Sequence, residues 1–393
     1  MFGGVFDIIS FVLFIVLMFF FPKIMLYQIL SLLNSKAASY EEMTTKAQKI
    51  ILKKIDKKTK LTNKQLKASI DRVMETFVVE PDTIDPNGIA KKIRYITNRH
   101  DKKLELFVDD ITEGFSKEYR KNLSASITHT IGLYQVTKII KHYIELVKQT
   151  KNFQIGMILQ MQLPFIDKEM KALYSSIPAL INNIPVGDCI GPLYAANIIG
   201  DSKTEEIAEG TVVAKKKIKG KEIFILKADG PGANLGNIDE AIKKIVAKNK
   251  IDKIITIDAS GALESEKTGS VAEGVGFAMG PRGAERFFAE TFLTNKNIPV
   301  DGVIVKMKPE QALMPMKKEI KEALPLVDEA VWRSMKEVKK KVIIVGVGLT
   351  VGVGNNKKAA EIAEKKIDDY NKKIEAESKK KEKKGFWSKI FGD

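Results

Sequence analysis

The chain of 393 residues is long enough for two or three domains that each bury a core, and its apolar share of 44% excludes a wholly disordered protein. A single cysteine, Cys189, excludes an intramolecular disulfide framework. The formal net charge of +16 favours acidic partners, but most of the positive charge is Lys rather than the planar Arg that suits phosphates and bases. We therefore expect attraction to a membrane surface, and nucleic acid is not an expected partner.

Residues 1–33 are predicted to form an uncleaved membrane anchor. About 20 apolar residues span the core of a bilayer, and Val5–Met25 has that length. No basic segment precedes the apolar run and no small-residue cleavage pattern follows it, which argues against a signal peptide. Because lysines follow the run and none precedes it, the positive-inside rule predicts a single-pass protein of the cell membrane. Its N-terminus would lie outside and its remaining domains in the cytoplasm.

Residues 34–183 are predicted to form a Lys-rich helical domain. Apolar residues recur at three- and four-residue spacing in Ala37–Lys57 and Thr62–Val79, as in amphipathic helices. A longer helix is expected over Phe115–Lys148. No catalytic chemistry is visible in this region, which we interpret as a stalk or an interaction bundle.

Residues 184–356 predict an α/β domain. Its β-branched runs alternate with helical segments, a pattern typical of a mostly parallel sheet covered by helices on both faces, that is, a three-layer sandwich. A short turn separates the first two runs, which predicts a hairpin at one edge of the sheet. The five predicted strands are Thr211–Lys217, Glu222–Ala228, Lys253–Asp258, Gly302–Lys306 and Lys341–Gly346.

Residues 357–393 form a charged tail, predicted to be an exposed helix. Its last apolar residues would share one helical face behind a block of lysines. That composition indicates a segment that contacts the anionic cytoplasmic surface of the membrane, with a disordered basic tail as the alternative. The residues of this face are Phe386, Trp387, Ile390 and Phe391.

Two acidic residues mark the candidate site. Asp258 is expected at the tip of its strand, and Asp188 lies between Gly187 and Gly191 at the start of a helix. Ligands of open α/β sheets bind outside the carboxyl ends of the strands, so we expect both acids to face one cleft. Two carboxyl groups that share one water hold one proton between them, which suits water attack on an amide. We predict Asp188 and Asp258 as catalytic residues, although Asp188 could instead cap the helix.

Other polar residues are expected along the same rim. Ser260 would polarise the carbonyl, and the two arginines would bind a carboxylate or phosphate unless they form surface salt bridges. The glycine-rich segments match neither the dinucleotide fingerprint nor the P-loop, and no histidine accompanies the acids, so no metal site is predicted and the cofactor is unknown. The predicted substrate-binding residues are Asp229, Asn234, Ser260, Arg282 and Arg286.

The stretches Gly187–Leu193, Ile257–Ala259 and Gly269–Gly280 resemble the germination-protease and hydrogenase-maturation-peptidase superfamily. The resemblance implies a three-layer α/β fold, a peptidase-like activity, and Asp188 and Asp258 as the catalytic pair. The chain lacks the histidine that helps to bind nickel in the hydrogenase-maturation branch. Its overall layout is also similar to an archaeal membrane-anchored family of unknown function, which implies no activity.

Two functional hypotheses follow from these features. In the first, the protein is a membrane-anchored cytoplasmic hydrolase that uses the paired aspartates. In the second, it is a non-catalytic ligand-binding or scaffold protein that recruits a protein or small-molecule partner to the membrane.

Overall fold

The computed structural model describes residues 3–55, 59, 61–78, 88–279 and 283–391. Its first element, α1 (Gly3–Ile55), is one helix of 53 residues. Among the described residues it is the helix that is long and apolar enough to cross a membrane, and none of its most apolar 18-residue window is buried. From Ile29 onward, one face of α1 becomes buried against other helices. The apolar N-terminus and the helical region therefore share a single continuous helix.

The helical region packs around the second half of α1. Its helices are α2 (Asn63–Met74), α3 (Ile89–Ile111), α4 (Lys117–Thr150) and α5 (Phe153–Ile181). Lys36 Nζ lies 2.9 Å from Asp167 Oδ1, and Lys54 Nζ lies 3.1 Å from Asn182 Oδ1. Residue numbers increase along both helices from the first pair to the second. Therefore α5 runs parallel to α1, away from the apolar N-terminus. The long helix predicted over Phe115–Lys148 is present as α4.

The remaining residues up to 356 form the α/β domain around a seven-stranded sheet in the order β1-β2-β3-β7-β4-β6-β5. The strands are β1 (Thr204–Ala208), β2 (Thr211–Ile218), β3 (Lys221–Ala228), β4 (Lys253–Gly261), β5 (Val271–Val275), β6 (Val300–Met307) and β7 (Lys341–Gly346).

The prediction of a mostly parallel sheet was wrong, because the sheet is mixed. Strands β3, β7, β4 and β6 pair in parallel at its centre, as their β-branched runs predict. The β1–β2, β2–β3 and β5–β6 pairs are antiparallel. The predicted hairpin is present as β2–β3, but it does not form the edge of the sheet, because β1 pairs with β2. Neither β1 nor β5 was predicted. Both are short and largely exposed edge strands, so neither carries the apolar run by which a central strand is recognised.

Helices cover both faces of the sheet. One face packs against α7 (Ile238–Lys248) and α8 (Gly283–Asn295). The other face packs against α6 (Ile190–Ile199), α11 (Leu324–Ser334) and the first turns of α12 (Lys357–Phe391). The aliphatic side chains of β3, β4 and β7 alternate between these two cores, as the period of a strand requires.

The connection between β6 and β7 consists of several short helices. It contains α9 (Pro309–Leu313), α10 (Lys318–Lys321) and α11, followed by a 3₁₀ turn at Met335–Glu337. Pro315 lies between α9 and α10 and forms an isolated antiparallel bridge with Val186. Proline lacks an N–H and disfavours a helical conformation in the residue before it, which explains the interruption.

The helical region contacts the α/β domain at the rim where β3 ends. Asn122 Oδ1 on α4 accepts a 2.7 Å hydrogen bond from the N–H of Ala233. Arg94 on α3 forms a bidentate ion pair, at 2.9 and 3.2 Å, with the buried carboxylate of Asp239 on α7. The end of the bundle that is remote from the apolar N-terminus thus lies against the carboxyl ends of the strands.

Candidate functional site

Asp258 lies inside β4 and not at its tip, which corrects the prediction from sequence. The strand continues to Gly261 because its pairing with β6 extends to Met307. On the other side, β7 pairs with β4 only as far as Gly346, opposite Ile257. Asp258 therefore follows directly after the point at which β7 leaves β4, and we call the place where the two strands part the crevice.

This crevice is a topological switch point of the sheet. The chain leaving β4 leads through β5 to α8 on one face, whereas the chain leaving β7 leads to α12 on the opposite face. Adjacent strands whose connections diverge in this way leave a gap at their carboxyl ends, which is where α/β proteins of this type bind ligands. Asp258 lies at this switch point, and its assignment to a functional site stays a prediction.

The segment from Gly187 to Gly191 enters the crevice as a tight turn. A Cβ atom added to Gly191 would lie 2.3 Å from the carbonyl oxygen of Val347 and 2.4 Å from that of Ile257. A Cβ atom on Gly348, which has a φ of 127°, would lie 2.0 Å from the carbonyl oxygen of Asp188. Only glycine allows these approaches, so the Gly-Asp-x-x-Gly spacing is explained by the packing of backbone against backbone.

The turn fixes the carboxyl group of Asp188 at the exit of β7. Asp188 Oδ2 accepts a 2.7 Å hydrogen bond from the N–H of Leu349. Burial raises the pKa of Asp188 above its usual range, and the Leu349 hydrogen bond opposes that shift only in part. Asp188 is therefore suited to hold a proton at neutral pH better than an exposed carboxyl group would.

Asp258 reaches the crevice from the other side of the sheet. Its side chain alternates toward the face covered by α7 and α8, whereas the turn carrying Asp188 leads into α6 on the opposite face. Asp258 is 3% exposed, and its Oδ1 accepts a 2.7 Å hydrogen bond from the N–H of Ala259. A water shared by the two carboxyl groups would have to lie within the crevice itself.

Lys227 is a buried titratable residue beside the turn that carries Asp188, and it was not predicted from the sequence. It lies on β3 and is 0% exposed, and its Nζ donates to Ala228 O at 2.8 Å and to Asn355 Oδ1 at 2.7 Å. Burial lowers the pKa of Lys227 to about 7, against the opposing influence of Asp229 and Cys189. The signal in the sequence was a lone lysine at the end of an apolar strand, directly before the Ala-Asp-Gly segment.

Cys189 is buried beside this lysine and is not suited to act as a nucleophile. It is a free thiol with no exposed surface, and its Sγ lies 3.6 Å from the carbonyl oxygen of Val351. Burial, and secondarily the neighbouring Asp188, raise the pKa of the thiol far above its usual range. Because the thiolate is the reactive form, Cys189 has the properties of a structural side chain.

The predicted substrate-binding residues occupy different places. Asp229 Oδ1 accepts a 2.8 Å hydrogen bond from Asn355 Nδ2, and Asn234 Nδ2 donates to Gly210 O at 2.8 Å. Both side chains therefore hold the loop that follows β3 against neighbouring loops through hydrogen bonds. Ser260 is half-buried on the same face of β4 as Asp258.

Of the two predicted arginines, Arg282 lies outside the described residues. Arg286 is exposed on the first turn of α8, and its Nε lies 2.8 Å from Glu290 Oε1, one helical turn further along. This surface ion pair is the alternative that the sequence left open for the arginine. Within the described ranges, no group of three or more His, Cys, Asp or Glu side chains is placed to hold a metal ion.

Comparison with known families gives two matches that together cover most of the chain. Residues 7–183 match a family model described as "Protein of unknown function (DUF1512) N-terminal domain". Residues 186–354 match one described as "Domain of unknown function (DUF1512) C-terminal". None of the curated proteins matches the chain. These descriptions carry no activity, so a function has to be argued from the geometry of the crevice.

Proposed function

Since the chain belongs to the DUF1512 family, whose function is unknown, we propose from its own geometry that it is a membrane-anchored hydrolase of a peptide or related bond. The observation that supports the proposal is the position of Asp188 and Asp258 at the β4–β7 switch point. One of these carboxyl groups is held in a buried turn that raises its pKa. Acid pairs in unlike environments can divide the roles of general acid and general base.

The roles follow from the surroundings of each acid. Asp258 would act as the general base and take a proton from a water in the crevice as that water attacks the substrate carbonyl. Asp188, whose pKa burial raises, would act as the general acid and deliver a proton to the leaving nitrogen as the C–N bond breaks. One water is added across the bond, and the exchange of one proton through the pair returns both acids to their starting states. The Ser260 hydroxyl would donate to the carbonyl oxygen.

The proposal is tested with full-length protein in nonionic detergent and a library of blocked peptides in water enriched in ¹⁸O. Hydrolysis places one ¹⁸O atom in each new carboxyl group, and mass spectrometry detects the label in whichever peptide is cleaved. Asp188→Asn and Asp258→Asn should each abolish the label, whereas Asp201→Asn, on an exposed turn, should leave it unchanged. Label retained in either site variant would refute the assignment of the acid pair.

A non-catalytic ligand-binding or scaffold protein is the second candidate function. It is favoured by the burial of Asp258 and by the contact of α4 with the loop after β3, which covers part of the rim. In that case no ¹⁸O label forms in the wild-type protein. A thermal shift with inorganic phosphate or succinate would then be expected, and it should disappear in Arg286→Gln.

We further propose that α1 anchors the protein in the cell membrane with the N-terminus outside and the α/β domain in the cytoplasm. The proposal is supported by the apolar, unburied first half of α1 and by the lysines that follow it. It is tested by labelling Gly3→Cys and Lys296→Cys with an impermeant maleimide, because the native Cys189 is buried. Gly3→Cys should react in intact cells and Lys296→Cys only after lysis. The reverse pattern would contradict this orientation.

The C-terminal segment is proposed to touch the same membrane. Phe386, Trp387, Ile390 and Phe391 lie within the helical backbone of α12, although their side chains lie outside the described set. In a Trp332→Phe background, Trp387 fluorescence should be quenched by lipids brominated close to the headgroup in bilayers that contain phosphatidylglycerol. Fluorescence that brominated lipids leave unchanged would rule out the contact.

A further inference from the structure

A cleft lies at the end of the α/β domain where the strands begin, opposite the rim that carries Asp188 and Asp258. It is formed between the turn joining β2 to β3 and the C-terminal part of α11 with the 3₁₀ turn that follows. Its volume of about 580 Å³ falls in the range of small-molecule sites. Its lining residues are Lys219, Lys221, Asp328, Glu329, Trp332, Arg333, Met335 and Lys336.

The lining carries an excess of positive charge. It holds four cationic and two acidic side chains, a net charge of 4 − 2 = +2. The Asp328 carboxylate accepts a 3.0 Å hydrogen bond from the Tyr194 hydroxyl, and the Arg333 guanidinium is paired with Glu273. Among the described residues, none of the three cleft lysines has a carboxylate partner, and Lys221 donates to the carbonyl oxygen of Met335, which leaves Lys219 and Lys336. Two exposed ammonium groups therefore remain available to an anion in the cleft.

The backbone at Lys219 is unusual for a lysine. Lys219 and Gly220 form a two-residue hairpin loop with φ angles of 48° and 79°, a conformation that favours Asn-Gly. This left-handed conformation is unfavourable for a lysine, whose Cβ crowds the following carbonyl oxygen. The ammonium group of Lys219 lies 4.6 Å from the ring centre of Trp332, which is half-buried against the core. Lys219, in a strained conformation, thus places its ammonium group over the ring of Trp332.

From these features we propose that the cleft binds a small organic phosphate. Its phosphate would lie between Lys219 and Lys336. The ammonium group of Lys219 would turn from the ring of Trp332 to the phosphate, and the planar group of the ligand would take its place against that ring. A phosphate group suits this site because charge-assisted hydrogen bonds from two ammonium groups are stronger than neutral ones. The ligand is a soluble phosphate and not a lipid headgroup, because the bundle that continues from the apolar part of α1 contacts the opposite rim. This site is independent of the acid pair and of the proposed hydrolase activity.

The test uses adenosine 5′-diphosphate (ADP) and inorganic pyrophosphate as probes, with full-length protein in nonionic detergent. In a Trp387→Phe background, the fluorescence of Trp332 reports binding at the cleft. ADP should quench it saturably and bind more tightly than pyrophosphate, which lacks a planar group. Lys336→Gln should weaken ADP binding about tenfold, whereas Lys217→Gln, an exposed lysine of β2 outside the cleft, should not change it.

Lys219→Asn separates a role in binding from a role in folding. Asparagine is favoured at this position of the turn, so the variant should keep or raise the melting temperature while losing about tenfold in ADP affinity. A purely structural lysine–tryptophan contact predicts the opposite, a lower melting temperature with unchanged affinity. The proposal is overturned by that result, by the absence of ADP binding to the wild type, or by equal ADP and pyrophosphate affinities. Binding of phosphatidylglycerol vesicles or a single-stranded oligonucleotide in place of ADP would also overturn it.

Discussion

Replacement of Lys227 by Met should remove a specific pH dependence of stability. Met has nearly the same length as Lys but no ionisable group, and residue 227 has no exposed surface. The pKa of Lys227 falls from an ordinary 10.5 to about 7 in the folded protein. Between these values the unfolded chain binds more protons than the folded one, so the free energy of unfolding rises with pH. Below pH 7 the penalty for burying the charge is present in full.

The magnitude follows from the shift of about 3.5 pKa units, which corresponds to about 5 kcal/mol over the whole window. Between pH 6 and pH 9 the same relation gives a rise of about 2.5 kcal/mol for the wild type relative to Lys227→Met. Loss of the hydrogen bonds to Ala228 and Asn355 also lowers the free energy of unfolding of Lys227→Met, by an amount that does not follow the titration of the lysine. The slope of the difference against pH is therefore the diagnostic quantity.

The assay is chemical unfolding of the full-length protein in nonionic detergent at pH 6, 7, 8 and 9, followed by circular dichroism. The matched control is Lys217→Met, which replaces an exposed lysine on β2. Its free energy of unfolding should change with pH in parallel with that of the wild type. Parallel pH profiles of the wild type and Lys227→Met would refute the reasoning, since they would show that Lys227 keeps an ordinary pKa in the folded protein.

Two further predictions concern the crevice. Gly191→Ala should destabilise the protein by on the order of 3 kcal/mol, because the new Cβ would meet two carbonyl oxygens, whereas Gly274→Ala, with no atom within 4 Å, should change stability by about 0.5 kcal/mol or less. Thermal unfolding measures both, and equal losses would contradict the close packing of the turn. Cys189 should resist iodoacetamide at pH 8 in the native protein and react after denaturation in guanidinium, as followed by mass spectrometry. Fast labelling of the native protein would show that the thiol is accessible.

The centre of the sheet could be predicted from sequence because its strands are buried on both faces. Runs such as Lys253–Asp258 and Lys341–Gly346 are continuous and β-branched, a composition typical of strands that are covered on both faces. β1 has the sequence Thr-Glu-Glu-Ile-Ala, and β5 contains a glycine and a glutamate. Such edge strands depend on pairing with a neighbour more than on their own apolar character. Their position, and with it the mixed topology, could not be derived locally.

The positions of the two acids could be predicted from the sequence, but their surroundings could not. The rule that ligands bind at the carboxyl ends of strands led us to expect Asp188 and Asp258 along one rim. Both lie where the pairing of β4 with β7 ends. The continuation of β4 beyond Asp258 depends on its register with β6. Asp188 and Asp258 approach from opposite faces of the sheet, and this depends on the face against which α6 packs. The burial of Lys227 likewise results from the closure of loops far apart in the chain, including the one that carries Asn355. Long-range contacts of this kind leave no mark in a single sequence.

If α1 anchors the protein as proposed above, its continuity sets the distance between the crevice and the membrane. From Met25, near the end of the apolar segment, to Ile55 the helix covers 30 residues, or about 45 Å at 1.5 Å per residue. A flexible tether would let the α/β domain reach every distance down to the lipid surface. A rod embedded in a packed bundle holds the crevice in one layer parallel to the membrane. Its substrates would be soluble molecules or segments of membrane proteins that project that far, and bonds close to the bilayer would lie out of reach.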